Sequence, residues 1–485
     1  MSMPKNSISK NLLYNLIYQI ITLILPLITI PYVSRILGAE GIGIYSYTSS
    51  ITQYFILLAT LGISMYGNRQ IAYIRNNKND LNKTFWSILI LRLITTSIAF
   101  LFYVIIFINV KEYKLIFILQ SLNIISSMID ISWLFMGLED FKKTVTRSIT
   151  IKILGVLAIF TFIKTNEDLV LYVLLNALSL LLGNAILWGY LPKTVGFINI
   201  KFKDIFKHFI PSIKLFIPQL AVHMYVILDK SMLGWLSNVK EVGYYEQSEK
   251  IVKSTLAIVI ALGTVMLPRI SHLYANGETE KINNYLNKSL RGITYITIPI
   301  IFGLIGIANE FVPWFFGSDF MQLIILIPIL SPILLFISMS SVMGTQYLLP
   351  SNRIKEYSIS VIFGGIINII LNLIFMGKYG AIGACIGTLF AEFFVTLIQY
   401  LFIRKEIQIT GFWKDIIHFI GASTIMLILI RLVGEKLGAS AFTTSLQIIL
   451  GFIVYILSLL TMKDDFNKQI LTILKGKLDV IKRKS

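Results

Sequence analysis

Four ionisable residues share one face of a segment that is apolar enough to cross a membrane. Glu246, Glu249, Lys250 and Lys253 are spaced i, i+3, i+4 and i+7, which places them on one side of a helix. Carboxylate and ammonium groups at this spacing can pair with one another or contact a charged ligand. Because ionisable groups are costly in hydrocarbon, we interpret this charged stripe as functional.

The charged stripe has a neutral counterpart 200 residues earlier in the chain. A Gly-x-Tyr triplet precedes both stripes, at 43–45 and 243–245, and an arginine follows each at the same offset, Arg69 and Arg269. The sequence therefore predicts a doubled unit whose two copies differ in the charge of one helix face. The neutral positions are Ser46, Ser49, Ser50 and Gln53.

Composition indicates an integral membrane protein. The mean hydropathy is +0.77, 56% of the residues are hydrophobic and only 14% are charged, which is too few charges for a soluble chain of this length. The net charge of +18 would suggest nucleic acid in a soluble protein, but here the basic residues cluster between apolar runs. We therefore expect no nucleic-acid partner, and we interpret the first apolar run as a retained span rather than a signal peptide.

The apolar runs predict fourteen transmembrane helices with both termini in the cytoplasm. When basic residues at the ends of spans are counted with the adjoining loop, thirty of the 43 Lys and Arg residues lie on the inner side and seven on the outer side, as the positive-inside rule requires. Each run is near the length that a bilayer requires, and the fifth is the shortest. The predicted spans are 11–34, 43–66, 84–108, 114–137, 148–164, 168–190, 211–236, 243–268, 290–312, 321–347, 354–376, 380–403, 414–433 and 442–462.

The repeat predicts two lobes of six helices related by a parallel pseudo-twofold axis, at 1–203 and 204–403. Residues 404–485 add two helices and a basic cytoplasmic tail. Each lobe opens with a helix that contains two prolines. Bent helices at matched positions favour a central cavity between the lobes, and the alternative is that proline is simply common in membrane helices. No loop is long enough for a folded extramembrane domain. We therefore predict an all-α integral membrane protein.

The predicted cavity has a polar vestibule in its outer half. The charged stripe forms one wall, and Asp229, Lys230 and His223 on the seventh helix lie near the same depth. The neutral stripe forms the opposite wall, and Arg35 ends the first helix, where it can also be a plain interface anchor. The alternative is that the charged residues are only i,i+4 pairs at a helix end in water, which explains Lys253 poorly.

Other charges inside the predicted spans have structural alternatives. Arg92 and Asp130 fall at the same depth in two helices joined by a short outer loop, so we expect a charge pair that holds this hairpin together. Glu392 lies near the midplane, where it is either a protonated structural group or a proton or cation site. Lys152 is expected to extend its ammonium group to the inner surface.

Motifs for cofactor chemistry do not occur in the sequence. There is no phosphate-binding loop for ATP, no H-E-x-x-H, no metal-ligand spacing among the four His residues and no nucleophile elbow. We therefore expect no cofactor and no metal site. Short outer loops also argue against a membrane enzyme such as a sugar polymerase or ligase.

Several segments resemble the Wzx-type polysaccharide repeat-unit flippases of the multidrug/oligosaccharidyl-lipid/polysaccharide exporter superfamily. The resemblance begins with Ser-Lys-Asn at 9–11 and continues in PYVSRILGAEGIGIY at 31–45. It includes GYYE at 243–246 and MLPR at 266–269. It implies two six-helix lobes around a V-shaped cavity in the bacterial cytoplasmic membrane, with alternating access across it.

The resemblance also implies a substrate, an undecaprenyl-diphosphate-linked oligosaccharide that moves from the inner to the outer leaflet for capsule, exopolysaccharide or O-antigen assembly. Membrane lipids and the polymerase and glycosyltransferases of that pathway are the implied partners. Two alternatives share the fold: a cation-coupled multidrug exporter, which would need a mainly acidic cavity, and a flippase for the peptidoglycan precursor.

Overall fold

Helices make up the regular structure of the described part of this chain. A computed structural model describes residues 5–275, 278–406, 411–469 and 472. Side chains are described for the same residues except 5–17, 20, 23, 217–219, 221–226, 257–272, 275 and 279. No strand occurs within these ranges, which confirms the all-α prediction for them.

The first compact unit, Met1–Gly243, contains nine complete α-helices within its described residues. Its main core lies where α2, α3 and α5 meet, around the buried side chains of Phe85, Trp133 and Phe135. The helices are α1 Lys5–Thr60, α2 Ile63–Ile74, α3 Lys78–Phe107, α4 Lys114–Met128, α5 Ser132–Gly137, α6 Phe141–Phe162, α7 Leu169–Trp188, α8 Phe202–Phe206 and α9 Phe209–Leu236.

The second compact unit, Tyr244–Ser485, begins within the helix that follows α9. Two C-terminal helices, which follow the predicted second lobe, pack on its long α11 through a core around Phe419, Met426 and Tyr455. The helices are α10 Val239–Ala275, α11 Thr279–Phe316, α12 Leu323–Leu330, α13 Ile333–Ser340, α14 Ile354–Tyr379, α15 Ala381–Ile403, α16 Phe412–Leu437 and α17 Ala441–Thr461, and a π-helical segment, Ser341–Leu348, follows α13.

Eleven helical stretches of the described residues are long and apolar enough to cross a membrane. One of them, Ile24–Ile74, combines the first two predicted spans. Helices α9 and α10, of 28 and 37 residues, correspond to the seventh and eighth predicted spans, but their side chains are described only in part. The count of fourteen therefore stays a prediction, as do the lobe boundaries at 203 and 403.

The connection between the first two predicted spans differs from the expected loop at 35–42. Helix α1 instead continues through this region and breaks only at Gly38, whose φ of 66° and ψ of 179° are not helical. An L side chain rarely adopts this positive φ, so glycine permits a one-residue break where the sequence suggested eight residues of loop.

The fourth predicted span is also interrupted. Helix α4 ends at Met128, and α5 starts at Ser132 after a short non-helical turn. In this turn the Asp130 carboxylate accepts a hydrogen bond of 2.9 Å from the Ser132 amide. A polar side chain thus satisfies a backbone donor that the helix break exposes.

Two glycines of the Gly-x-Tyr triplets meet where α1 contacts the start of α10. A Cβ atom on Gly43 would lie 1.6 Å from the carbonyl oxygen of Val239, and one on Gly243 would lie 2.0 Å from the carbonyl oxygen of Ala39. The two contacts are related by the same 200-residue offset as the stripes. Because only backbone fits here, these helices can approach more closely than side chains would allow.

We predict that Gly43→Ala and Gly243→Ala will each destabilise the protein. The added methyl group overlaps backbone that cannot rotate away, so the helices must separate at a cost of about 1–3 kcal/mol or more. The measurement is the apparent melting temperature of the full-length protein in detergent, which should fall in both variants.

Gly303→Ala is the matched control, because Gly303 also lies within a long helix but a Cβ atom there would meet nothing within 4 Å. Its melting temperature should be unchanged or higher. Equal melting temperatures for all three variants would contradict the close backbone approach.

Candidate functional site

The charged stripe on α10 consists of two ion pairs. Lys250 Nζ lies 2.8 Å from Glu246 Oε1, and Lys253 Nζ lies 2.6 Å from Glu249 Oε1. Both carboxylates are buried, whereas the lysine side chains are 39% and 33% exposed. The buried carboxylates are unlike pairs at a helix end in water, but the role of this face as a cavity wall stays a prediction.

The neutral stripe on α1 is polar but unevenly exposed. Ser50 is buried and donates a hydrogen bond of 2.7 Å to the Tyr47 carbonyl oxygen, while Gln53 is exposed and Ser49 is partly buried. Arg35, three residues before the Gly38 break, is exposed. The Ser50 hydroxyl is therefore hydrogen-bonded to the backbone of its own helix. Gln53 is the most accessible member of the stripe.

The residues predicted on the seventh helix lie on α9. Asp229 is 2% exposed and Lys230 is partly buried. Next to them, Ser231 Oγ lies 2.7 Å from the Tyr54 hydroxyl, which connects α9 to the same helix that carries the neutral stripe. His223 lies outside the residues whose side chains are described.

Arg92 and Asp130 form an ion pair inside the first unit. Arg92 Nη2 lies 3.3 Å from Asp130 Oδ2, and the guanidinium also donates to the Ser127 carbonyl oxygen at 2.7 Å and to the Ser64 hydroxyl at 3.1 Å. Arg92 is 2% exposed. One arginine thus joins α3, the end of α4 and α2, and the structural role of this pair stays a prediction.

Glu392 lies within α15 of the second unit and is 6% exposed. Thr388, one helical turn earlier, shares a hydrogen bond of 2.8 Å with the Tyr245 hydroxyl. Among the described residues, no group of three His, Cys, Asp or Glu side chains is arranged to hold a metal ion.

A cavity of about 500 Å³ lies within the first unit, between α1, α6 and α7. None of the predicted site residues lines it. Lys152 and Arg147 of α6 lie on its wall, with Tyr18 and Thr22 of α1 opposite. Lys152 Nζ donates to Thr22 Oγ1 at 3.1 Å and lies 5.0 Å from the centre of the Tyr18 ring.

This cavity differs from the sequence-based expectations in two respects. Arg147 was expected in an inner loop at 138–147, whereas α6 starts at Phe141 and includes it. Lys152 was expected to extend to the inner surface, whereas its ammonium group contacts α1. The sequence does contain a signal for a site near Arg147 and Lys152. Helices α6 and α7 and the part of α1 before Gly38 contain no Asp or Glu that could neutralise these cations.

Long apolar helices with charged groups held among them define a multi-pass membrane protein. The family model described as "Polysaccharide biosynthesis protein" matches residues 8–274, more than half of the chain, and the protein belongs to this family. This agrees with the resemblance to polysaccharide flippases.

Similar proteins include the putative O-antigen transporter of Escherichia coli K12, which is 24% identical over 84% of this chain and 99% of its own length. The capsular polysaccharide biosynthesis protein CapF of Staphylococcus aureus is 23% identical over 82% of this chain and 99% of its own. A solved structure of the lipid II flippase MurJ in an inward closed conformation matches 94% of this chain and 99% of its own with a TM-score of 0.74. At 18% identity this likeness shows the fold alone.

We predict strong thermodynamic coupling between Arg92 and Asp130. Asp130→Asn leaves the buried Arg92 guanidinium without a counter-charge and should lower stability by about 3–5 kcal/mol, and Arg92→Met, which leaves the partly buried Asp130 carboxylate unpaired, should also lower it. The double variant should recover part of this loss. The coupling free energy is measured by chemical or thermal unfolding, in detergent, of the wild type, the two single variants and the double variant.

Glu139→Gln is the control, because Glu139 pairs with Arg75 at 2.8 Å but both side chains are at least 31% exposed. Its effect should be below about 1 kcal/mol. If the double variant loses as much stability as the sum of the two single losses, Arg92 and Asp130 do not act as one unit.

Proposed function

We propose that this protein is a flippase for a lipid-linked glycan and not an enzyme. The match to the polysaccharide biosynthesis family carries this proposal, supported by the similarity to an O-antigen transporter along nearly all of that protein's length. The MurJ-like fold supports a transporter rather than a catalytic scaffold.

The substrate we propose is an undecaprenyl-diphosphate-linked oligosaccharide repeat unit that moves from the inner to the outer leaflet. Its head group cannot cross bare hydrocarbon, because transfer of one ion into a medium of low dielectric constant costs on the order of 20 kcal/mol in the Born limit. Polar and cationic side chains within the helix bundle would replace the lost water, while the lipid tail stays in the bilayer.

For the transport cycle we propose alternating access by two six-helix lobes, 1–203 and 204–403, in a chain of fourteen spans with both termini in the cytoplasm. The charged stripe on α10 and the neutral stripe on α1 would line the path of the head group. A membrane potential that is negative inside drives an anion outwards by about 2.3 kcal/mol per charge for each 100 mV. Ion coupling through Glu392 would be an additional source of direction.

The charge of the observed cavity argues against the multidrug alternative. A site for cationic drugs needs carboxylates, but Lys152 and Arg147 line this cavity and the lining side chains that the structure describes include none. A peptidoglycan-precursor flippase has the same lipid and diphosphate chemistry with a different glycan, so the two are separated by the substrate used in the test.

The test is transbilayer movement in proteoliposomes that contain the purified full-length protein. We expect it to move fluorescent undecaprenyl-diphosphate oligosaccharide between leaflets much faster than protein-free vesicles, as measured by bleaching with a membrane-impermeant reductant. The peptidoglycan precursor should move more slowly than the repeat unit. No acceleration for either lipid would contradict the proposed function.

The two lysines of the charged stripe are predicted to be required for transport. Lys250→Ala and Lys253→Ala each remove the cation of an α10 ion pair, and we expect each to abolish movement of the oligosaccharide lipid while the protein still inserts and purifies. Loss of a charge-assisted hydrogen bond of about 1.5–3 kcal/mol corresponds to at least a tenfold lower rate.

Lys240→Ala is the control, because Lys240 lies on the same helix but is exposed near its start. It should retain the wild-type rate. Normal rates in both Lys250→Ala and Lys253→Ala would remove the stripe from the substrate path.

A further inference from the structure

We propose that the cavity between α1, α6 and α7 binds the phosphate groups of a lipid through Lys152 and Arg147. The inference deepens the proposed function and rests on it for the identity of the lipid. Phosphate is the shared chemistry of two sources, the diphosphate of the transported lipid and the head group of a resident phospholipid.

Lys152 lies near the middle of α6, a helix that is long and apolar enough to cross a membrane. It lies eleven residues after Phe141 and ten before Phe162, so either end of α6 is about 15 Å away along the axis. A lysine side chain is much shorter than this distance. The ammonium group therefore stays far from both ends of α6, and its contact with Thr22 holds it towards the cavity.

The partners of the two cations in the described structure are neutral. Lys152 contacts the Thr22 hydroxyl and the face of the Tyr18 ring. Arg147 Nη1 donates to Asn184 Oδ1 at 3.1 Å, while its buried Nε has no hydrogen-bond partner among the described groups. Neutral partners orient a cation but leave its charge uncompensated.

Charge compensation from nearby carboxylates is also insufficient. Helices α6 and α7 and the part of α1 before Gly38 contain no acidic residue. Asp130, whose field reaches Arg147, is already paired with Arg92. The region thus retains two positive charges in excess, and positive charge enclosed by apolar helices is costly. A bound anion would offset this cost.

The volume and lining of the cavity fit a phosphate-bearing head group. Its volume of about 500 Å³ is in the range of small-molecule sites. Guanidinium and ammonium groups form charge-assisted hydrogen bonds with phosphate oxygens. Asn176 and Ser179 of α7 also line the cavity and provide neutral donors and acceptors of the kind that sugar hydroxyls require.

The first test measures binding of inorganic diphosphate to the purified full-length protein in detergent. Diphosphate should raise the apparent melting temperature of the wild type above its value in chloride of equal ionic strength. In Lys152→Met the diphosphate concentration that gives half of this shift should rise at least about tenfold. Lys142→Ala is the control, because Lys142 lies on the same helix but is exposed, and it should respond like the wild type.

An equal response in Lys152→Met, or no response in the wild type, would overturn the proposal. Ligand-free stability separates a binding role from a structural one. Because Lys152→Met removes a partly buried charge that has no acidic partner in the described structure, its melting temperature without diphosphate should be unchanged or higher, and Lys152→Arg should keep the diphosphate response. A lower ligand-free melting temperature together with no rescue by arginine would assign Lys152 a structural role and overturn the proposal.

Thr22→Val provides a second variant if Lys152→Met does not fold. It keeps both cations but removes the hydroxyl that orients the ammonium group. A weaker response to diphosphate is expected, and an unchanged response would contradict the proposed geometry.

The source of the phosphate is identified by competition and by transport. Displacement of diphosphate by undecaprenyl diphosphate, but not by phosphatidylglycerol, assigns the site to the transported lipid, and the reverse assigns it to a resident phospholipid. Wild-type transport without a diphosphate response would leave the proposed function intact and overturn the cavity assignment. If the wild type responds to diphosphate, Lys152→Met does not, and the wild type transports neither lipid, the cavity assignment would stand and the proposed function would be overturned.

Discussion

The cost of placing charge in hydrocarbon governs the interior of this protein. A charged group that is enclosed by the helices must find a partner or a polar space, because no water is available to solvate it. The chain uses the first solution at Arg92, which is bound by Asp130, Ser127 and Ser64. It uses the second at Lys152, where neutral groups surround a cation beside a cavity.

The contrast between a charge that is enclosed with its ionic partner and a charge that faces a polar space separates structural charges from candidate functional ones. A balanced pair such as Arg92 and Asp130 needs nothing further and joins three helices. The pair of Lys253 and Glu249 is also balanced, but its lysine is one-third exposed and its carboxylate is buried. Partial exposure leaves the ammonium group able to contact another molecule without loss of its ion pair. Lys152 has no such acidic partner in the described structure.

Polar contacts also attach the two C-terminal helices to α11. Gln447 of α17 donates to the buried Glu310 carboxylate at 3.1 Å, and Arg291 of α11 forms an ion pair with Asp415 of α16. Gly434 of α16 lies against Glu310, where a Cβ atom would be only 2.4 Å from the carboxyl carbon. In a bilayer such contacts, together with close packing, replace the hydrophobic force that brings helices together in water.

The sequence by itself determined the class, the helical architecture and the family, because apolar runs of bilayer length permit few other structures. It also placed Arg92 and Asp130 at one depth, since helix periodicity fixes position along the axis. Only the tertiary structure decided which helix faces meet. The start of α6 at Phe141 places Arg147 inside the bundle, and the packing of α1 on α6 turns Lys152 towards Thr22. These contacts join residues about 130 positions apart, and local periodicity carries no information about such pairs.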